Sequence, residues 1–357
     1  MRAGTRDARA AFDERGDTMP ETPTTSTAAV VAASELPETM RAAVYDGPGG
    51  PEVLRAAQVP RVLRLRDEVL VEVVAAGVNP LDVKTRAGRG VTPGITDYPA
   101  VLGLDFSGVV VQAPYAAHPL QPGDEVYGLL PFPRGTGSYA EFVSAPSLAV
   151  ARKPASLGHV EAAAVPCAAL TAWGMVVEVA KVHEGSRVLV HAGAGGVGHF
   201  AVQFAAYFGG HVTATASAEN AAWLHSLGAH RVIDYRAERF DEVLDEVDVV
   251  IDLIGNVHAD TGSRSLALLR PGGILVNAPT GSWPTMADEA AAAGVRASGF
   301  QVAGNAQTLA VIGRLIDSGD VTVHVSSVHP LEQAAEAHAA GETRRTRGKR
   351  VLRVREG

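Results

Sequence analysis

The sequence predicts an α/β protein in which a β-rich domain is joined to a doubly wound parallel sheet. Its length of 357 residues favours two domains, at about 150 residues each. Short β-like runs separated by Gly and Pro fill the chain up to about residue 160. Beyond that point strand and helix patterns alternate, which is typical of a parallel sheet covered on both faces.

Residues 1–39 differ in composition from the rest of the chain. They include the Thr- and Pro-rich run Pro20–Thr27 and show no sustained hydrophobic period. Such a segment cannot bury enough apolar surface to offset the entropy lost on ordering. We therefore expect a disordered leader, or a chain that starts at Met40.

The first half of the chain carries short strand patterns bounded by turn residues such as Pro122-Gly123-Asp124. Together they predict a β-rich, barrel-like domain. The expected strands are Arg41–Tyr45, Glu68–Val74, Gly108–Gln112, Glu125–Leu129 and Tyr139–Ser144.

The second half predicts a parallel sheet followed by a mixed C-terminal stretch. The expected strands are Arg187–Ala192, His211–Ala216, Arg231–Asp234, Val247–Ile251, Gly273–Asn277 and Val295–Phe300. Helices are expected over Ala218–Leu227, Ala306–Ile316 and Leu331–Ala339, and a last strand over Arg350–Val354.

Composition and charge exclude several classes of partner. The net charge is −8, and the one basic cluster, residues 344–355, alternates with apolar residues and is interpreted as a strand with a solvated face. Cys167 is the only cysteine, so no intramolecular disulfide and no cysteine-rich structural zinc site can form. No apolar run approaches the roughly 18 residues of a membrane helix. We expect a cytoplasmic protein without nucleic-acid or membrane partners.

A glycine motif predicts dinucleotide binding. Gly193, Gly195, Gly196, Val197 and Gly198 belong to a G-x-G-x-x-G string that follows an apolar strand and opens an amphipathic helix. Bare backbone N–H groups and the helix dipole at such a loop favour a pyrophosphate.

The residues about 20 positions beyond this loop bear on the choice of dinucleotide. An acidic residue at the end of the second strand would bind the ribose 2′-hydroxyl and repel a 2′-phosphate. Ser217 stands there and favours NADP(H), whereas the neighbouring Glu219 opposes the same phosphate. NADP(H) is the predicted cofactor, and Glu219 leaves the preference over NAD(H) open.

Several motifs in order resemble the medium-chain dehydrogenase/reductase superfamily, and within it the zinc-independent quinone oxidoreductase and enone reductase branch. The resemblance covers residues 40–357. It implies a GroES-like catalytic domain over residues 40–160 and 301–357 and a Rossmann NADP(H)-binding domain over residues 161–300. The motifs are Gly77-Val78-Asn79-Pro80-Leu81-Asp82, Val188–Gly198, Thr213–Ser217 and Gly348-Lys349-Arg350-Val351-Leu352.

The chain departs from the zinc alcohol dehydrogenases at their metal ligands. Asn79 stands where their first zinc-binding cysteine falls, and Gly103-Leu104-Asp105 replaces their Gly-His-Glu segment. The resemblance therefore implies that no metal is bound. Without a Lewis acid, alcohol oxidation is not expected, and reduction of an activated C=C bond or of a quinone remains.

The resemblance also implies the residues of the reaction site. Asn79 is expected to orient the substrate or the cofactor, and Asp82 lies in the same loop. Lys84 is expected to donate to the developing enolate, with a solvated lysine or a partner of Asp82 as the alternative. Tyr45 is a further donor candidate that could equally be a core residue.

Further cofactor contacts follow from the same resemblance. Thr171 is similar to the threonine that faces the nicotinamide, and Tyr235 to the tyrosine that approaches the 2′-phosphate. Asn277, Phe300 and Val302 match strand ends that line the nicotinamide pocket. A homodimer is expected, with its seam near Val295–Gly299.

Three functions remain open on the sequence. The first is an NADPH-dependent oxidoreductase that reduces enones or quinones. The second is a dedicated enoyl reductase in a polyketide-type pathway, and the third is a non-catalytic nucleotide-binding dimer. The substrate itself cannot be predicted, because variable loops shape the pocket.

Overall fold

The computed structural model describes residues 36–343 and 346–356, so the predicted leader lies almost wholly outside the described residues. The described chain contains sixteen strands. They are β1 Thr39–Tyr45, β2 Arg55–Pro60, β3 Glu68–Val78, β4 Ala100–Val101, β5 Asp105–Gln112, β6 Glu125–Leu129, β7 Phe142–Pro146, β8 Val150–Arg152, β9 Arg187–Val190, β10 His211–Ala216, β11 Arg231–Asp234, β12 Val247–Asp252, β13 Leu269–Asn277, β14 Arg296–Gly299, β15 Val325–Pro330 and β16 Lys349–Arg353.

Within the described residues, ten α-helices connect and cover these strands. They are α1 Pro80–Arg86, α2 His159–Ala163, α3 Pro166–Trp173, α4 Gly198–Tyr207, α5 Ala221–Ser226, α6 Phe240–Val243, α7 Thr261–Leu266, α8 Met286–Ala292, α9 Ala306–Asp317 and α10 Ala334–Glu342.

The six strands β9–β14 form one parallel sheet in the order β11-β10-β9-β12-β13-β14. Strand order reverses between β9 and β12, which pair directly. In a doubly wound sheet this reversal opens a crevice at the carboxyl ends of the strands, where ligands bind. The predicted parallel sheet is confirmed, and β10 and β11 have the predicted bounds.

The β-rich part consists of two sheets. The larger has the order β15-β16-β3-β5-β6-β8 with β7 also on β3, and the smaller has the order β2-β1-β4. The last strand, β16, returns from the end of the chain to pair antiparallel with β3, with Arg350 opposite Val78. This pairing carries the C-terminal residues to the start of α1. The predicted fold class, α/β with a β-rich domain and a parallel sheet, is confirmed.

Several strand predictions were wrong in extent. β3 continues to Val78 because Ala75, Ala76 and Gly77 are small and suit a buried position. The strand expected from Tyr139 begins at Phe142. The strands β2, β4, β8 and β15 were not predicted, because they are short or largely exposed and lack a strong apolar alternation.

The helix predicted over Ala218–Leu227 is divided. Its first turn, Ala218–Asn220, is a 3₁₀-helix, and α-helical geometry begins at Ala221. Ser217 directly precedes this turn in an extended conformation, so it lies outside the helix.

Candidate functional site

The glycine loop lies between β9 and α4, at the point where strand order reverses. Its Gly193 N–H donates to the Thr215 carbonyl oxygen at 2.9 Å, which ties the loop to β10. A Cβ atom on Gly198 would lie 2.2 Å from the Ala192 oxygen, and one on Gly193 would lie 2.8 Å from the Ala214 Cβ. The backbone thus approaches where no side chain fits, as a pyrophosphate-binding loop requires.

The predicted adenosine end of the crevice contains a cation that sequence reasoning missed. Ser217 follows β10 and Tyr235 follows β11, and these strands pair in register with Ala216 opposite Asp234. Arg236 comes next, with its guanidinium carbon 5.6 Å from the Tyr235 ring centre. Its Nη1 lies 3.4 Å from the Glu219 carboxylate. The acidic residue that left the cofactor preference open is therefore paired with an arginine.

The predicted nicotinamide-end residues collect at the carboxyl edge of the parallel sheet and on the helix facing it. Asn277 ends β13 and donates to Asp252 Oδ2 at 2.7 Å. The Phe300 N–H donates to the Asn277 carbonyl at 2.8 Å. The Phe300 ring packs on Gly174, directly after α3, which carries Thr171. Val302 is half-buried and packs, like Phe300, against the hydrophobic core that surrounds the parallel sheet.

A buried polar cluster lies at the start of α1. The Asn79 side chain donates to Asp105 Oδ2 at 3.0 Å. The Lys349 ammonium donates to Asn79 Oδ1 at 2.5 Å, to Asp105 Oδ2 at 3.1 Å and to the Val78 carbonyl oxygen at 3.2 Å. Lys349 comes from β16, at the far end of the chain, and its side chain is 4% exposed.

Lys349 corrects the interpretation of the basic cluster. Residues 344–355 were expected to form a strand with a solvated face, but Lys349 is buried. It points inward because β16 is covered on one side, and Asp105 and Asn79 supply the acceptors that a buried ammonium needs. Neither Lys349 nor Asp105 was predicted as a site residue. Their partnership depends on the pairing of β16 with β3, which no local pattern reveals.

Asp82 lies beside this cluster and is fully buried. Its Oδ2 accepts from the Asn79 N–H at 2.8 Å and from the Tyr139 hydroxyl at 3.2 Å, and that hydroxyl also lies 3.1 Å from His338 Nε2. Burial raises the pKa of Asp82 to about 7, and the Asp105 charge adds to the rise. The Asn79 N–H, the Lys349 ammonium and the Tyr139 hydroxyl act in the opposite direction.

The other two predicted catalytic residues are less buried or lie elsewhere. Lys84 is half-buried on α1. Tyr45 belongs to the core of the β-rich part, where its ring meets Tyr98 edge-on at 5.4 Å. Its hydroxyl has no hydrogen-bond partner among the described residues, and burial raises its pKa.

We predict that Asp82→Asn removes a pH dependence of folding stability. The folded pKa of about 7 exceeds the ordinary value of 3.8. Between these values the folded protein binds a proton that the unfolded chain does not, so this group makes the wild type less stable as pH rises through that window. Urea unfolding measures the free energy of unfolding of both proteins from pH 5 to pH 8. The value for the variant minus that for the wild type should rise by up to about 1.4 kcal/mol per pH unit, and this difference should become constant above about pH 7.

Asp97→Asn is the matched control for this prediction, because Asp97 is exposed on a loop of the same part of the chain. It should follow the wild type at every pH. A stability difference between Asp82→Asn and the wild type that stays constant with pH would show that Asp82 is ionised in the folded protein throughout.

The donor set at the start of α1 does not fit zinc. Asn79 and Asp105 both face the Lys349 ammonium, and a divalent cation would be repelled by that charge at the same position. Within residues 36–343 and 346–356, no group of three His, Cys, Asp or Glu side chains is arranged to hold a metal ion.

Comparison with known proteins assigns the family. Residues 66–155 match the model of the alcohol dehydrogenase GroES-like domain, and residues 227–352 match that of the zinc-binding dehydrogenase. An NADPH-dependent alkenal/one oxidoreductase, chloroplastic, of Arabidopsis thaliana is 34% identical over 80% of this chain and 72% of its own. A trans-enoyl reductase of Aspergillus terreus is 32% identical over 81% of this chain and 87% of its own. The chain belongs to the medium-chain dehydrogenase/reductase superfamily.

Solved structures of this superfamily have the same fold. The quinone oxidoreductase of Coxiella burnetii is 36% identical, covers 89% of this chain with 100% of its own, and superposes with a TM-score of 0.83. A structure of an NAD-dependent alcohol dehydrogenase is 33% identical, covers 88% of this chain with 100% of its own, and has a TM-score of 0.79. This medium-chain dehydrogenase/reductase is therefore an oxidoreductase.

The remaining comparisons bear on location. No helix in the part of the chain that the structure describes is long and apolar enough to cross a membrane. The Arabidopsis relative is a chloroplast protein by its name, so the cytoplasmic location stays a prediction.

Proposed function

We propose that this protein is a metal-independent reductase that transfers hydride from NADPH to an activated C=C bond of an α,β-unsaturated carbonyl compound, or to a quinone. The observation that carries the proposal is the buried cluster of Lys349, Asn79 and Asp105, in which the ammonium takes up the oxygen atoms and would repel a divalent cation. The alkenal/one oxidoreductase and quinone oxidoreductase relatives support the same chemistry.

The chemistry of this cluster suits carbonyl activation through hydrogen bonding. NADPH, when bound, supplies a hydride to the carbon β to the carbonyl group. The carbonyl oxygen then gains negative charge as an enolate, and the α-carbon must receive a proton. We propose that the Asn79 amide donates to this oxygen. Lys84, Asp82 and Tyr45 stay candidates for the proton path.

The preference for NADPH is part of the proposal. Ser217, Tyr235 and Arg236 lie at the ends of two adjacent strands, where the 2′-phosphate of the adenosine would bind. Arg236 supplies the charge that a dianionic phosphate requires. The pairing of Glu219 with Arg236 moderates the repulsion that Glu219 alone would exert. Thr171, Asn277, Phe300 and Val302 are proposed to line the nicotinamide end.

The experiment follows the consumption of NADPH with a series of small enones, alkenals and quinones. We expect turnover with at least one of these classes, none with the matching saturated ketones, and no loss of activity after treatment with a chelator. Oxidation of simple alcohols with NADP⁺, abolished by the chelator, would contradict the proposal.

An enoyl reductase acting on thioesters is the second candidate, favoured by the trans-enoyl reductase relative. It predicts the same hydride transfer to a carbon–carbon double bond conjugated to a thioester carbonyl. A kcat/KM for a crotonyl thioester at least about tenfold above that for free enones would identify the protein as an enoyl reductase. A tenfold ratio corresponds to about 1.4 kcal/mol of discrimination between the two transition states.

A homodimer is also part of the proposal. The strand β14 lies at one end of the six-stranded sheet, within the predicted seam Val295–Gly299. An edge strand offers unpaired backbone groups to a second copy. Sedimentation of the purified protein tests this state directly, and a monomer at micromolar concentration would contradict it.

A further inference from the structure

Lys349 uses all of its hydrogen-bonding capacity inside the cluster. An ammonium group has three N–H donors and no acceptor. These donors reach three oxygens, Asn79 Oδ1, Asp105 Oδ2 and the Val78 carbonyl. Because none is left for a substrate, Lys349 acts as a fixed charge and does not itself bind the reacting molecule.

The lysine determines which way the Asn79 amide faces. Since an ammonium can only donate, the Asn79 atom that it contacts must be the amide oxygen. One N–H of the amide donates to Asp105 Oδ2. The second N–H has no acceptor among the described residues, and it is the group that can donate to a bound oxygen atom.

The same strand also contacts the glycine loop. The Gly348 N–H donates to the Ala194 carbonyl oxygen at 2.9 Å. A Cβ on Gly196 would lie 3.0 Å from the Lys349 Cδ, so the lysine stem passes beside the loop. Lys349 thus lies between the predicted pyrophosphate site and the residue predicted to face the substrate.

We propose that Lys349 is the positioning residue of the reduction site, a fixed cation that holds the Asn79 amide by its oxygen and leaves the second amide N–H for the substrate oxygen. This inference rests on the proposed function. A positive charge on the amide oxygen polarises the group and strengthens its N–H as a donor. The free N–H then stabilises the negative charge that develops on the carbonyl oxygen.

The first test is Lys349→Met, which keeps the length of the side chain and removes the charge. We expect kcat to fall by about 100-fold or more, as for loss of a donor to a developing oxyanion. The dissociation constant of NADPH should change by less than about threefold, since this role is confined to the transition state. Arg353→Met, on the same strand and paired with the exposed Glu356, is the control and should keep full turnover.

A second variant separates this role from a structural one. Lys349→Met alone leaves the Asp105 carboxylate buried without its cation, which lowers the thermal midpoint. Lys349→Met combined with Asp105→Asn removes both charges and should recover most of that midpoint. Turnover should stay low in this double variant. Recovery of kcat together with stability would overturn the proposal.

A double-mutant cycle tests whether Lys349 acts through Asn79. We expect Asn79→Ala, Lys349→Met and their combination to lose similar amounts of kcat, because removing the amide already removes what the lysine orients. Multiplicative losses would show that Lys349 acts by another route. A kcat loss matched by an equal loss of NADPH affinity would make it a pyrophosphate contact, and would also overturn the proposal.

The two proposals fail in different ways. If the wild type reduces none of the alkenes, thioesters or quinones, the proposed function is wrong. The thermal midpoints of Lys349→Met and of its combination with Asp105→Asn then still test whether Lys349 and Asp105 form a buried pair, because this measurement needs no substrate. If the wild type is active and Lys349→Met keeps its kcat, the proposed function stands and the role of Lys349 is wrong.

Discussion

Replacing Gly198 by alanine is expected to weaken NADPH binding and to destabilise the fold. The new Cβ would lie 2.2 Å from the Ala192 carbonyl oxygen and 2.8 Å from the Gly193 backbone. Backbone atoms cannot move aside as a side-chain end can, so the start of α4 must shift away from β9. We expect the free energy of unfolding to fall by about 1–3 kcal/mol, as for overpacked sites. The NADPH dissociation constant should rise by roughly 10- to 100-fold, because the loop N–H groups lose their alignment.

The control for this prediction is Gly47→Ala. Nothing lies within 4 Å of a Cβ at Gly47, so the substitution should leave both quantities unchanged. Helix propensity cannot explain a loss at Gly198, since alanine is the better helix former by roughly 1 kcal/mol. Fluorescence titration and urea unfolding measure the two effects, and unchanged NADPH affinity in Gly198→Ala would show that the cofactor binds away from this loop.

Replacing Arg236 by glutamine is expected to remove the preference for NADPH over NADH. Arg236 forms an ion pair with Glu219, and its guanidinium group lies beside the Tyr235 ring. Loss of a charge-assisted hydrogen bond to the 2′-phosphate costs about 1.5–3 kcal/mol, which corresponds to roughly a 10- to 100-fold weaker affinity for NADPH. NADH lacks this phosphate, so its affinity should not change.

Glu219→Gln provides the opposite change at the same place. It removes the carboxylate that competes for Arg236, and the NADPH affinity should rise or stay equal while that for NADH does not improve. Arg239→Gln is the matched control, because Arg239 is an exposed arginine three positions further on, paired with Asp241 and Glu242. If the wild type prefers NADH and the Glu219→Gln variant lacks this preference, Glu219 binds the ribose hydroxyls.

Much of the fold could be predicted from the sequence because its signals are local. The strands β10 and β11 were predicted to the residue, since each is a short apolar run bounded by polar or turn residues. The glycine loop was placed correctly between a strand and a helix for the same reason. Short edge strands such as β4 and β15 were missed, because few of their side chains are buried.

The candidate site was predicted only in part. Asn79 and Asp82 were singled out, and the structure brings them together with Asp105. Lys349 was noticed only within a motif and a basic cluster, although it is the charged partner of both Asn79 and Asp105. Arg236 was not considered, because the acidic residue that it pairs with lies 17 positions earlier in the chain.

By itself, the sequence predicted the α/β fold class with its parallel sheet, and the position of the glycine loop between a strand and a helix. Hydrophobic period, glycine spacing and residue identity are properties of neighbouring positions, so they can be read along one chain. Only the tertiary structure decided that the Lys349 ammonium joins Asn79 and Asp105 in one buried cluster. Lys349 and Asn79 are 270 residues apart, and they meet because β16 pairs with β3 in the register that sets Arg350 opposite Val78. Strand register is fixed by the burial of whole sheets, which no local pattern contains.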